Sequence, residues 1–245
     1  MISSISNLCF IESQYDQAIK QFSEINVTFE LALSKHFKMH ILDILESDLI
    51  LTINCISIQS PFFGINGNIF ESDVILNNYI EISEKITDYA KRNKIQNIVF
   101  GSPKQRNVNS ENELHRAKRF FSHLDSISNE RTYWSIENNP TDYGTNFLND
   151  IYQVNSFLAD NNYNNLRINL DIGALCHSED DKNFDLEIMN KVGHVHLNSM
   201  FLKLPNSREI SFLKKIKSKV KENVFISLEC LNIELNDLER TVEEF

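Results

Sequence analysis

One alternation constrains this chain more than any other feature. Eight short runs rich in β-branched and aromatic residues recur along it, each followed by a polar or amphipathic stretch. The runs are "ISNLCF" (5–10), "NVTFELAL" (26–33), "INCISIQS" (53–60), "QNIVFG" (96–101), "RTYWSIE" (131–137), "LRINLD" (166–171), "VGHVHLN" (192–198) and "VFISLE" (224–229). Between them the clearest helical spacings cover 73–93 and 110–128, and a last helix covers 234–244. Ser110 followed by Glu113 reads as a capping box at the start of the second of these. Eight strand–helix units at about 30 residues each match a (β/α)₈ TIM barrel, which needs about 250 residues. The rival, a doubly wound open sheet, usually has fewer strands and a glycine-rich first turn. The chain contains neither GxGxxG nor GxxxxGK[ST], so the barrel is the expected fold, as a single domain over residues 1–245.

Charge and cysteine content narrow the function classes. Lys and Arg total 24 against 34 Asp and Glu, a net charge of −10 that repels a phosphate backbone and disfavours a nucleic-acid footprint. No apolar run approaches the roughly 18–20 residues that span a bilayer, so no membrane partner is expected. The segment "MISSISNLCF" has no basic n-region and no cleavage site, which points to a cytoplasmic protein. Cys9, Cys55, Cys176 and Cys230 lie far apart without a CxxC pair, and read as buried reduced thiols.

In a barrel of this kind the C-terminal strand ends face the active site. Those positions hold Glu30 on the second strand, Gln59 on the third, Gly101 and Ser102 after the fourth, and Glu137 on the fifth. They continue with Asp171 on the sixth, His194 and His196 on the seventh, and Glu229 on the eighth. Taken singly, a carboxylate at a strand end is most often a solvated cap. Glu137, Asp171, His196 and Glu229 arrive on four successive strands, however, and together form a set of hard oxygen donors plus one imidazole. Such a set suits an octahedral divalent ion, Mn²⁺, Mg²⁺ or Co²⁺, with positions left for substrate oxygens. Zn²⁺ is a further candidate, although no Cys stands among the ligands. His194 lies two residues before His196 on the same strand face, one layer deeper, where a hydrogen-bonding role is expected.

The motifs "FELALSKHF", "SIQSPFFG", "IVFGSPKQR", "SIENNP", "INLDIGA", "VGHVHLNS" and "FISLE" resemble those of the xylose-isomerase-like barrels. That family includes sugar isomerases, sugar 3-epimerases, inosose dehydratases and type IV apurinic endonucleases, and the narrower likeness is to its sugar phosphate isomerase/epimerase branch. The resemblance runs from the second strand to the eighth. It implies metal ligands at Glu137, Asp171, His196 and Glu229, with Glu137 and Glu229 also acting as acid and base through an enediolate. It implies a small-molecule sugar or sugar phosphate as substrate, and members of the family often pair as homodimers. Several epimerase relatives place a His three residues after the sixth-strand Asp. Here that position is Ala174, and His177 is the nearest replacement in sequence.

Substrate contacts are expected from Glu30, Gln59, Ser102, Asn139 and His177, with Lys35, Lys104 and Arg106 placed near a phosphate or carboxylate. Tyr143, Phe62 and Phe63 are candidate pocket walls, with core packing equally expected. Two other reactions or roles fit the same frame: dehydration of a cyclic polyol or keto sugar, and a non-catalytic sugar-binding barrel. Apurinic-site cleavage fits poorly, because the third and fourth strand ends lack the His ligands that a trinuclear zinc cluster needs.

Overall fold

In the computed structural model, which describes residues 3–25 and 27–243, the eight runs form eight parallel strands closed into one barrel in chain order. The strands are β1 (Ser4–Ser6), β2 (Thr28–Leu31), β3 (Cys55–Ile58), β4 (Asn97–Phe100), β5 (Tyr133–Glu137), β6 (Arg167–Asp171), β7 (Val192–Leu197) and β8 (Phe225–Leu228). The helices around them are α1 (Tyr15–Glu24), α2 (Leu33–Phe37), α3 (Ile41–Glu46), α4 (Asp73–Arg92) and α5 (Glu111–Ile127). They continue as α6 (Ile151–Asp160), α7 (Ile172–His177), α8 (Ser207–Ile216) and α9 (Leu235–Glu243). The architecture is the expected (β/α)₈ barrel. Asn26 and Glu244, the outer residues of the second expected strand and the last expected helix, lie outside the described residues. No helix among the described residues is long and apolar enough to cross a membrane.

Alternation along each strand divides the molecule into two environments. One set of side chains, including Ile5, Phe29, Ile98, Phe100, Trp134, Ile136, Leu170, Val195 and Leu228, is fully buried in the apolar layer shared with the helices. Phe62, Phe100, Phe120 and Trp134 pack ring against ring there, and Trp134 Nε1 donates to Thr87 Oγ1 of α4 at 2.9 Å. Each such buried aromatic contributes roughly 2–3 kcal/mol. The other set is polar on every strand: Ser6, Glu30, Ser57, Asn97, Ser135, Asn169, His194, His196 and Ser227 are all buried. These groups satisfy one another across the barrel. Ser135 Oγ donates to Asn97 Oδ1 at 2.7 Å, and Asn97 Nδ2 donates to Ser57 Oγ at 3.0 Å. The barrel interior is therefore a hydrogen-bonded polar column rather than an apolar plug, and it leads up to the site.

Local chemistry accounts for the element ends, with two departures from expectation. The expected first strand at 5–10 stops at Ser6, because Asn7 turns the chain into a short 3₁₀ segment. The Asn7 side chain donates to Ala32 O at 3.1 Å and accepts from Ala32 N–H at 2.8 Å, imitating the strand pairing that the backbone has left. At α5, Ser110 Oγ accepts from Glu113 N–H at 3.3 Å as the sequence suggests, but the Glu113 carboxylate accepts from Asn109 N–H instead of closing the box on Ser110. A complete capping box sits at α8, between Asn206 and Glu209. All four cysteines are free and buried.

Candidate metal centre

The strands deliver their carboxylates and imidazole to one point at the C-terminal mouth. Asp171 and His196 face each other in the β6–β7 register, and His196 faces Ser227, two residues before Glu229, in the β7–β8 register. One donor atom from each of Glu137, Asp171, His196 and Glu229 lies within 4.8 Å of the others. His196 Nδ1 is 2.7 Å from Glu137 Oε1 and 3.0 Å from Glu229 Oε2. The four line a cavity of about 180 Å³ together with Gln59, Ser102, Asn139, Tyr143 and other loop residues.

Amides and one glycine hold the carboxylates in place. Asn139 Nδ2 donates to Glu137 Oε2 at 2.9 Å, and Asn169 Nδ2 donates to Glu137 Oε1 at 2.8 Å. Asn198 Nδ2 bridges Asp171 Oδ2 at 2.9 Å and Glu229 Oε2 at 3.2 Å. Asp171 Oδ1 accepts from Ala174 N–H at 2.7 Å, capping α7. A Cβ on Gly101 would stand 2.6 Å from Glu137 Oε2, so only glycine leaves room for this carboxylate. Asn169 and Asn198 are not marked out by the sequence. Each shares its strand face with a candidate ligand two residues away, Asp171 and His196 respectively, and that period-2 relation is the signal that finds them.

Electrostatics test whether the set fits a cation. Three carboxylates, all under 10% exposed, converge without a Lys or Arg among the described residues lining the cavity. Burial raises Asp171 to about 7, and the nearby Glu137 and Glu229 charges push the same way. Burial also raises Glu229, against the pull of His196. Glu137 is held below the usual carboxylate range, because His196, Asn139 and Arg106 together outweigh its burial. Burial opposes a charge on His196, yet Glu229, Glu30 and Glu137 raise it well above the usual imidazole range. Like charges crowded into a dry site call for a positive partner, and hard oxygens with one imidazole fit a divalent ion.

Several expected substrate residues stand elsewhere, each for a physical reason. Glu30 does not reach the cavity: it is fully buried below it, with its carboxylate 3.0 and 3.1 Å from His196 Nε2 and 3.4 Å from His194 Nδ1. Glu30 thereby takes the Nε2 side of His196 and leaves Nδ1 facing the other carboxylates. His194 is a hydrogen-bonded interior residue, between Asn169 Oδ1 at 3.0 Å and Ser227 Oγ at 2.8 Å, and burial lowers it to about 4. Arg106 is also fully buried; its guanidinium donates to Glu137 O at 2.9 Å and Leu148 O at 3.1 Å, so it braces the β5 end rather than binding an anion. Lys35 Nζ is taken by the carbonyls of Phe10 at 2.8 Å and Leu8 at 3.3 Å. His177 is exposed beside Asp142 at 2.8 Å and lines a separate cavity. Lys104 lines the cavity next to the carboxylate-lined one, which shares Ser60, Ser102, Pro103 and Tyr143 with it. Gln59, Ser102, Asn139 and Tyr143 do line the carboxylate-lined cavity, whereas Phe62 is core and Phe63 is exposed.

No family model matches the sequence, and no curated protein sequence matches it either. Solved structures do match in three dimensions. The "probable 3-DHS dehydratase AsbF" of Bacillus anthracis superposes with a TM-score of 0.68 at 15% identity, covering 99% of this chain and 98% of that one. The 3-keto-D-glucoside 4-epimerase YcjR of E. coli gives 0.67 at 15% identity, covering 99% and 100%. The D-allulose 3-epimerase of Methylomonas sp. gives 0.65 at 17% identity, covering 98% and 88%. Over nearly its whole length, the chain thus has the barrel fold that sugar epimerases and a xylose isomerase domain protein share.

Proposed function

We propose that this protein is a divalent-metal-dependent epimerase or isomerase acting on a small sugar without a phosphate. The observation that carries the reading is the convergence of Glu137, Asp171, His196 and Glu229 within 4.8 Å on the floor of a cavity at the strand ends. Sugar epimerases among the structural neighbours support the choice of chemistry. Lys35 and Arg106 are committed to backbone carbonyls, and the described lining contains no Lys or Arg, which favours an uncharged sugar.

The four residues would hold the ion, and a bound divalent ion supplies Lewis-acid polarisation of a carbonyl and its neighbouring hydroxyl. The chain itself then has to move protons. One of Glu137 and Glu229 takes the proton from the carbon beside the carbonyl; the C–H electron pair passes into the enediolate of the sugar. The other returns a proton to the opposite face of that carbon, giving an epimer, or to the neighbouring carbon, giving an isomer. Asn139 and Asn169 orient Glu137 for this, and Asn198 orients Glu229. Gln59, Ser102 and Asn139 are positioned to meet hydroxyls.

Incubation of the Mn²⁺-loaded protein with a panel of ketoses and keto sugars in D₂O tests the proposal. Deuterium should enter at the carbon beside the carbonyl, and Glu137→Gln and Glu229→Gln should each abolish it. Bound metal with no exchange across the panel contradicts the reading. The dehydratase neighbour supports a second reading on the same residues, loss of a hydroxyl after proton removal. An ultraviolet-absorbing enone product, in place of an epimer, would select it.

A further inference from the structure

A second cavity opens beside the catalytic one, with a different chemical character. It measures about 620 Å³ against about 180 Å³, and the two share Leu8 and Ser60. Its walls are Leu8, Ala32, Met39, Phe63, Gly64 and Leu231, edged by the cations Lys35 and Lys38, and no Asp or Glu is among its described lining. Large apolar side chains exposed to solvent are few among the described residues, and three of the seven, Met39, Phe63 and Leu231, line this one cavity.

The walls are built rather than incidental. Asn232 N–H donates to Leu8 O at 3.1 Å and Leu231 N–H donates to Leu202 O at 2.8 Å, tying the loop after β8 to those after β1 and β7. Lys35 Nζ fastens the floor through the Phe10 and Leu8 carbonyls. Ser60, the residue common to both cavities, sits at φ +49, and Asn232 sits at φ +52. Both lie in the left-handed region, which shapes the tight turns of these two loops.

Because the two cavities share Leu8 and Ser60, we infer that the sugar handled at the metal centre carries a neutral apolar substituent that lies between Met39, Phe63 and Leu231. The substrate is then a keto glycoside or similar keto-sugar conjugate with an aryl or alkyl group, rather than a free monosaccharide. The inference rests on the proposed sugar chemistry, but adds to it a subsite with its own specificity. A catalytic cavity of about 180 Å³ accepts only the reacting sugar, and the apolar annex takes the rest.

Calorimetry of the Mn²⁺-loaded protein with paired 4-nitrophenyl and methyl β-D-glycosides and their 3-keto derivatives, in gluco, galacto and manno configurations, tests this. In at least one configuration the aryl form should bind tenfold or more tightly than the methyl form. Phe63→Ser and Leu231→Ser should erase that preference while Mn²⁺ affinity and thermal stability stay at wild-type values. Equal binding of aryl and methyl forms, no binding of any aryl form, or a preference that survives both substitutions overturns it. So does a concentration-dependent dimer in sedimentation that Phe63→Ser disperses, since the apolar surface would then belong to a second copy. If deuterium exchange occurs with unsubstituted ketoses but the aryl preference is missing, the subsite falls and the proposed reaction stands. If Mn²⁺ does not bind at all, it is the reaction that falls.

Discussion

Replacing Asp171 by Asn in the metal-free protein should flatten a stability trend with pH. Asp171 is 5% exposed and raised from an ordinary value of 3.8 to about 7, first by burial and then by the Glu137 and Glu229 charges. Its folded pKa lies above its unfolded one, so the folded state binds this proton more tightly. The associated stability is complete below about pH 4 and is lost as pH rises toward 7. At about 1.4 kcal/mol per pKa unit, and with the group half-titrated at pH 7, the loss between pH 5 and pH 7 is about 2 kcal/mol. For a chain of this size that corresponds to roughly 4–8 °C in Tm. Asn cannot titrate, and it also removes a like charge from beside Glu229. It costs something constant through its contact with Asn198, because Nδ2 of the new amide would face Nδ2 of Asn198. The slope, not the offset, is therefore the readout. Thermal unfolding in EDTA from pH 5 to pH 8 should show Asp171→Asn gaining on the wild type by about 3 kcal/mol. Excess Mn²⁺ should restore the wild type at pH 8 and help the variant far less. Parallel curves for the two proteins across that range would refute the claim that burial and the neighbouring carboxylates make the folded state hold the Asp171 proton.

Two further substitutions probe how the cluster is held. Gly101→Ala would put a methyl 2.6 Å from Glu137 Oε2, so Mn²⁺ affinity should fall tenfold or more by calorimetry while circular dichroism stays native. Glu30→Ala frees the Nε2 side of His196 and should weaken Mn²⁺ binding by about 10–100-fold, with Glu30→Gln recovering part of it through its amide oxygen. Nitrogen chemical shifts of His196 in the Mg²⁺-loaded protein should report the Nε2–H form in the wild type.

The barrel was legible because each strand is a short run rich in β-branched and aromatic residues set between helical spacings, even though one face of it is polar. Glu137, Asp171, His196 and Glu229 were legible because strand ends in this fold share one rim. What sequence could not convey was depth. Glu30 looks like a rim residue, yet it pairs in register with Ser6 and Ser57, within the polar column, and meets His196 from below. Arg106 and Lys35 were misjudged for a related reason: a loop cation is most often solvated or anion-binding, and only tertiary packing shows that backbone carbonyls have claimed it. The first strand was read too long because "NLCF" is apolar for packing, while the Asn7 side chain ends the pairing. The polar Asn169 and Asn198 look like ordinary strand residues until the carboxylates they hold are in view.

Titration of the metal-stripped protein with Mn²⁺ is the most direct test of the central claim. One ion should bind per chain, and Glu137→Gln, Asp171→Asn, His196→Gln and Glu229→Gln should each weaken it by at least tenfold. Absence of any affinity in the wild type, or affinity that all four variants retain, would contradict the account.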